Sequence, residues 1–160
     1  MPIDMQVRGL QQAQRKLEQT IADIRGQPFI DAMHEATLVV ERDAKILAPV
    51  DTGRLRSSIT SQIRKQGRTV QGVVGSNVTY APYQELGTGV HVGKSAYFPP
   101  PAALEVWAKR HGFPNGFVVA MAIYRAGGTK PRRFLQGAFE QNRARIIAII
   151  GRGVDAIVRK

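Results

Sequence analysis

The triplet Asp51-Thr52-Gly53 matches the signature of aspartic proteases. That chemistry needs two such aspartates sharing a proton, so a chain this short would have to dimerise about its active site. Those enzymes also set the triplet in a sheet-rich body and follow it with a small residue. Here a helical apolar stripe and Pro49 come before it, and Arg54 comes after. The triplet reads instead as an Asp/Thr-capped turn in which Gly53 supplies a positive φ. Gly93-Lys94-Ser95 resembles the end of a phosphate-binding loop. The glycine that loop requires five positions earlier is Thr88, and Ala96-Tyr97-Phe98-Pro99 cannot open a helix. His34, His91 and His111 fall in three different elements without metal-ligand spacing. Ser57 and Ser58 follow no nucleophile-elbow pattern. No catalytic residue, cofactor or metal is therefore expected, and the chain does not read as an enzyme.

The basic residues are the remaining candidates for chemistry. Residues 1–50 carry a charge balance of −1, residues 51–100 of +4 and residues 101–160 of +8, within a net charge of +11. Such asymmetry points to an acidic partner, either nucleic acid or an acidic protein surface. Lys130, Arg132 and Arg133 crowd the expected start of the last helix, where the dipole disfavours cations by a few tenths of a kcal/mol each. Arg143, Arg145 and Arg152 extend the positive surface. No motif for base readout is present, so any nucleic-acid contact is expected at phosphates, independent of sequence and sensitive to salt.

These residues must be positioned by one globular domain spanning residues 1–160, with 43% hydrophobic residues and no cysteine. No apolar run approaches the ~20 residues of a membrane span, and the mixed-charge N-terminus does not read as a secretory signal. Residues 5–8 are expected as a short strand or arm. Leu10, Ala13, Leu17, Ile21 and Ile24 then form a helical stripe ended by Gly26. A second helix starts at Pro28, with Phe29, Met33, Ala36, Val40, Ala44 and Leu47 on its apolar face, and Pro49 stops it. Leu55, Ser57, Ile59, Ser61 and Ile63 alternate with polar residues and predict a strand. Lys65-Gln66-Gly67-Arg68 is a turn, and residues 69–75 return as its partner. A long loop with a short helical piece near residues 83–86 follows. Helices are then expected from the proline run 99–101 to Gly112, over 117–124, and from Pro131 onward. The last of these carries Leu135, Ala138, Phe139, Ile146, Ile149, Ile150, Val154 and Ile157 inward, with a bend or break at Gly151 and Gly153. The fold class is α+β: two N-terminal helices, a small antiparallel sheet, and further helices including a long C-terminal one.

Four segments taken together resemble a known family: residues 44–59 with Ala48-Pro49-Val50-Asp51-Thr52-Gly53-Arg54-Leu55-Arg56-Ser57-Ser58; Val74-Gly75-Ser76; Tyr80-Ala81-Pro82-Tyr83-Gln84-Glu85-Leu86-Gly87-Thr88; and Lys130-Pro131-Arg132-Arg133-Phe134-Leu135 before Ala138. They resemble the tail-component family named after gene product ten of the lambdoid phage HK-ninety-seven. Its members are neck, tail-completion or minor tail proteins. The resemblance implies a structural virion protein, assembled in the bacterial host cytoplasm, that forms a ring of six or twelve copies. The ring would join the head-tail connector to the tail tube or a tail terminator, without membrane contact, and the +8 balance of residues 101–160 suits either an acidic connector ring or non-specific contact with DNA in the lumen. A sequence-independent nucleic-acid-binding protein using the basic C-terminal half is the alternative. Family members often run quickly from the Glu-x-Gly-Thr block to the Pro-x-Phe-Leu segment, so residues 89–129 here read as a helical insertion. Asp51, Thr52, Gly53, Leu55, Arg56, Ser58, Tyr80, Ala81, Glu85, Gly87, Thr88, Pro131, Arg132, Arg133, Phe134 and Leu135 are the motif or interface candidates. The 80–88 loop has two readings. As a brace it would bury Tyr80 and Leu86, with Glu85 accepting hydrogen bonds from Thr88 or Arg56; as an interface it would touch a neighbouring subunit.

Overall fold

The computed structural model describes Arg15, residues 26–67 and residues 69–158. The strand or arm expected at 5–8 and the first helix expected at 10–24, Arg15 apart, lie outside the described residues. Helix α1 (Gln27–Leu47) leads, followed by a single helical turn α2 (Arg54–Ser58) and the hairpin β1 (Ile59–Gln66) and β2 (Thr69–Ser76). Then come α3 (Ala81–Leu86), a 3-10 turn (Gly89–Val92), α4 (Pro101–Arg110), α5 (Gly116–Arg125) and the long α6 (Phe134–Val158). The fold is thus mixed helix with a small two-stranded sheet and a long C-terminal helix. Among the described residues, no helix is long and apolar enough to cross a membrane.

The chain divides into two compact units, to both of which α1, the hairpin and α6 contribute residues. In the unit made of residues up to 40, 61–74 and 141–160, Ala32, Ala36 and Val39 of α1 pack with Ile149 of α6, flanked by Ile146 and Ile150. Small residues let the two helices approach closely. A Cβ added at Gly153 would stand 2.5 Å from that of Ala32, which explains a glycine in the body of a helix despite a propensity cost of about 1 kcal/mol. The helix continues through Gly151 and Gly153, so the expected break does not occur. Gly72 of β2 plays the same part against Met33 and Thr37 of α1.

In the unit made of residues 41–60 and 75–140, Ala44, Ala48, Leu55, Ile59, Val78, Ala81, Ala108, Val119, Ala120, Phe134 and Ala138 are buried. The helices α4 and α5 pack on each other within the insertion, with Gly116 at the start of α5 set closely against the Pro101 carbonyl of α4. Asn115 caps α5 by accepting the Val118 N–H at 3.1 Å. Glu105 of α4 accepts the Gly116 N–H at 2.7 Å.

Three local expectations are corrected. Residues 54–58 form a helical turn, not the start of a strand. The Ser57 and Ser58 hydroxyls bond back to the Arg54 and Leu55 carbonyls (3.0 and 2.7 Å), a local alternative to sheet pairing. The last helix begins at Phe134, not Pro131, for a reason given below. Phe139 is 53% exposed and faces outward, while Ala138 takes the inner position.

Candidate interaction site

All four recognisable sequence blocks contribute residues to the second unit, and hydrogen bonds join them in two pairs. The turn at Asp51-Thr52-Gly53 has the threonine and glycine features expected of it, whereas Asp51, expected to cap it as well, turns its carboxylate to α4. Gly53 has φ +80° and precedes α2, and the Arg54 N–H donates to Thr52 Oγ1 at 3.4 Å. Leu55 is buried beneath the turn and Arg56 is exposed. Ser58 Oγ lies 2.7 Å from Ser76 Oγ, which accepts the Val78 N–H at 3.1 Å, so α2 is tied to the end of β2.

Asp51 itself binds the insertion. Its carboxylate accepts from Arg110 Nη1 at 2.8 Å and lies 3.5 Å from His111 Nε2, both at the C-terminal end of α4. Cations belong at that end of a helix, where unpaired carbonyls leave partial negative charge. The His111 ring stacks on Trp107 with centroids 4.0 Å apart, and Trp107 stacks on Phe113 at 5.7 Å. The insertion therefore packs on the body of this unit through α4, and the aspartate is the anchor of that contact.

The 80–88 block and the 130–135 block form a clasp. The Arg132 N–H donates to the Gln84 carbonyl (2.8 Å) and the Arg133 N–H to the Glu85 carbonyl (3.1 Å). This pairing keeps residues 130–133 out of the helix, so Pro131 is not its first residue. Arg133 has φ +48°, rare for a residue with a side chain. Its carbonyl accepts the Gly137 N–H at 2.7 Å, which places it at the helix start. Glu85 then completes the cap. Its two carboxylate oxygens accept the backbone N–H groups of Leu135 and Gln136, each at 2.9 Å. The carboxylate thus satisfies donors that α6 leaves unpaired and meets the positive end of its dipole. Thr88 and Arg56, the partners expected for Glu85, are not the ones it has. Replacing Glu85 by glutamine keeps one acceptor but loses the charge and turns an amide N–H toward the second donor. The expected loss is about 1–2 kcal/mol, read as a thermal midpoint about 3–6 °C lower by circular dichroism. An unchanged midpoint would refute the capping role.

The base of the insertion is closed. The Thr88 N–H donates to the Thr129 carbonyl (2.9 Å), the Thr129 N–H returns to Thr88 Oγ1 (2.8 Å), and the Val90 N–H reaches the Gly127 carbonyl (2.9 Å). Thr88 is buried in this pairing. The chain thus leaves for residues 89–129 and returns at the same place, and the clasp follows directly. Neither the Glu85 cap nor this closure is visible in the sequence, because each joins residues far apart in the chain, 50 and 51 positions for the cap and 41 for the Thr88–Thr129 pair. A lone glutamate two residues before a Gly-Thr pair was the only clue.

The clasp is braced from within and bears apolar and cationic side chains outside. Ala81 and Phe134 are buried, whereas Tyr80 and Leu86, expected inside if the loop is a brace, are 38% and 60% exposed, and Tyr83 is 56% exposed. Every carboxylate of this unit has an internal partner: Glu41, Asp43, Asp51, Glu85, Glu105 and Glu140. By contrast, the side chains of Arg54, Arg56, Lys94, Arg125, Lys130, Arg132 and Arg133 have no ion-pair partner among the described residues. The unit's surplus positive charge is therefore left for something else to neutralise.

Residues 11–87 match the family model described as "Bacteriophage HK97-gp10, putative tail-component". The match ends one residue before Thr88, where the insertion's closure begins. No curated protein and no solved structure matches the chain.

Proposed function

With a phage tail-component family matched over residues 11–87 as the premise, we propose that this chain is a non-catalytic structural part of a tailed-phage particle. In this reading it forms a ring of six or twelve copies that joins the head-tail connector to the tail. The observation that carries the reading is the clasp, a rigid backbone frame that presents Tyr83, Leu86, Arg132 and Arg133 outward. A ring subunit needs such a fixed, exposed edge to meet a different surface on its neighbour. Held by Arg110, Asp51 serves in this reading as an anchor and not as a proton-sharing catalyst. Particles made without the protein should show full heads beside detached tails in electron micrographs. Intact virions would refute the joining role.

The clasp arginines face an acidic surface of the connector or tail in this proposal. Arg132→Glu with Arg133→Glu should leave the circular-dichroism spectrum unchanged, since only their backbone groups hold the clasp. The yield of joined particles should fall about tenfold or more, as two interfacial charge pairs become repulsive. Normal joining would remove the support for this contact. The unpaired cations also favour a second reading, sequence-independent nucleic-acid binding. It requires duplex affinity in the isolated protein that drops by orders of magnitude between ~50 and ~200 mM salt.

A further inference from the structure

The insertion carries a surface that the clasp does not use. Residues 89–129 hold four Lys/Arg, namely Lys94, Lys109, Arg110 and Arg125, and a single carboxylate, Glu105. Glu105 is already engaged by the Gly116 N–H at 2.7 Å and faces Lys109 at 3.6 Å. On α5, Phe117 and Tyr124 stand two turns apart on one face, and Phe98 from the preceding loop packs edge-on against both, with centroids 6.1 and 6.0 Å away. Ala120, one turn from each ring on the same face, is fully buried between them, and Val119 is buried on the side turned away. Yet the three rings remain 52%, 47% and 39% exposed for Phe117, Tyr124 and Phe98. Val118 beside them is 42% exposed, and Arg125 follows Tyr124 on the flank, exposed. Clustered aromatic rings bordered by arginine have the composition of the energetic centre of protein interfaces.

We infer that this aromatic face of α5 docks a protein neighbour in the particle whose contact surface sets apolar side chains among carboxylates. The neighbour's apolar groups cover the triad of Phe98, Phe117 and Tyr124, and its Asp or Glu side chains meet Arg125. Charge complementarity selects this occupant. Another copy of the same unit would bring the same cationic flank, with all its own carboxylates occupied, and like charges across an interface are disfavoured. Nucleic-acid bases need open, flat ring faces on which to stack. Here Phe98 stands at 64° to Phe117 and 75° to Tyr124, so the rings present edges to one another and not a run of parallel faces. The inference rests on the proposed place of the chain in a phage particle, whose partners it narrows to one kind.

The test uses the full-length chain supplied to particles that lack it. A photo-reactive benzoylphenylalanine replaces Phe117, or Val118 if position 117 blocks incorporation. Purified particles are blotted for the chain before irradiation, and the crosslinked peptide is then sequenced. The expected product is a peptide of a different particle protein with Asp or Glu close to the attachment point. Arg125→Glu should lower its yield about tenfold, and changing that carboxylate to Lys should restore it. Crosslinks to a second copy of this chain, crosslinks to DNA, or no crosslink in particles that contain the chain would each overturn the inference alone. Particles that assemble normally without any of the chain would overturn the proposed function with it.

Discussion

Phe134→Ala is expected to destabilise the protein by about 3–5 kcal/mol, the range for emptying a fully buried aromatic site. Phe134 is completely shielded from solvent at the first position of α6. It sits directly beside the two backbone groups that Glu85 caps, so the cavity would open under the clasp itself. Against a total stability of roughly 5–15 kcal/mol, such a loss removes a large share. Urea unfolding followed by circular dichroism should show a lower midpoint with little change in slope. Phe139 provides the control. It lies on the same helix but is 53% exposed, and Phe139→Ala should change stability by no more than about 0.5 kcal/mol. Equal effects of the two substitutions would contradict the packing described.

Gly87→Ala is expected to cost at least about 3 kcal/mol and to deplete the soluble protein. Gly87 ends α3 with φ +77° and ψ −170°, a region that residues with a Cβ enter only at about 1–3 kcal/mol. A Cβ there would also stand 2.5 Å from the Thr129 carbonyl oxygen and 2.9 Å from the Pro131 nitrogen. Both are backbone atoms fixed by the clasp, so they cannot yield without parting residues 84–85 from 132–133. Gly93 separates the two contributions. Its φ is +71°, but nothing lies within 4 Å of an added Cβ. Gly93→Ala should therefore cost only the left-handed conformation, about 1–2 kcal/mol. If both variants melt together, steric exclusion by the clasp is not what requires a glycine at 87.

Where local chemistry decides, the sequence could be read. The prolines at 28 and 49 bracket α1 to within two residues, and period-two alternation read from Leu55 with a Gly67 turn located the hairpin, though it began the strand four residues early. The Asp51 triplet was legible as a turn because Gly53 between a proline-stopped helix and an apolar residue has few other uses. Legibility failed where a distant partner decided. Leu55 and Ile59, both buried, are spaced for one helical turn as well as for a strand, and the serine hydroxyls resolved that ambiguity toward helix. Pro131 obeyed the rule for a first helical residue, yet the Gln84 and Glu85 carbonyls captured the next two N–H groups and delayed the helix to Phe134. Among the candidate residues, the structure brings Glu85 to the backbone of Arg133 and to the start of α6, and Thr88 to Thr129, contacts the sequence did not name. The sequence misassigned the partners of Glu85, because a carboxylate's choice among donors depends on which helix end is brought to it.

The closure at Thr88 and Thr129 has a consequence for how such a chain can change. Because both ends of the 89–129 stretch are fixed to each other, its length is nearly free of the rest of the fold. Doubling a closed loop adds only about 0.6 kcal/mol of entropy cost. The stretch is in effect a socketed fitting that can be shortened, enlarged or exchanged while the clasp keeps its geometry, provided the replacement offers Asp51 a partner in place of Arg110. A lineage that encountered a new neighbour could replace the fitting and leave the frame alone, and a chimera carrying a foreign stretch between Thr88 and Thr129 is the natural way to transfer one specificity to another body.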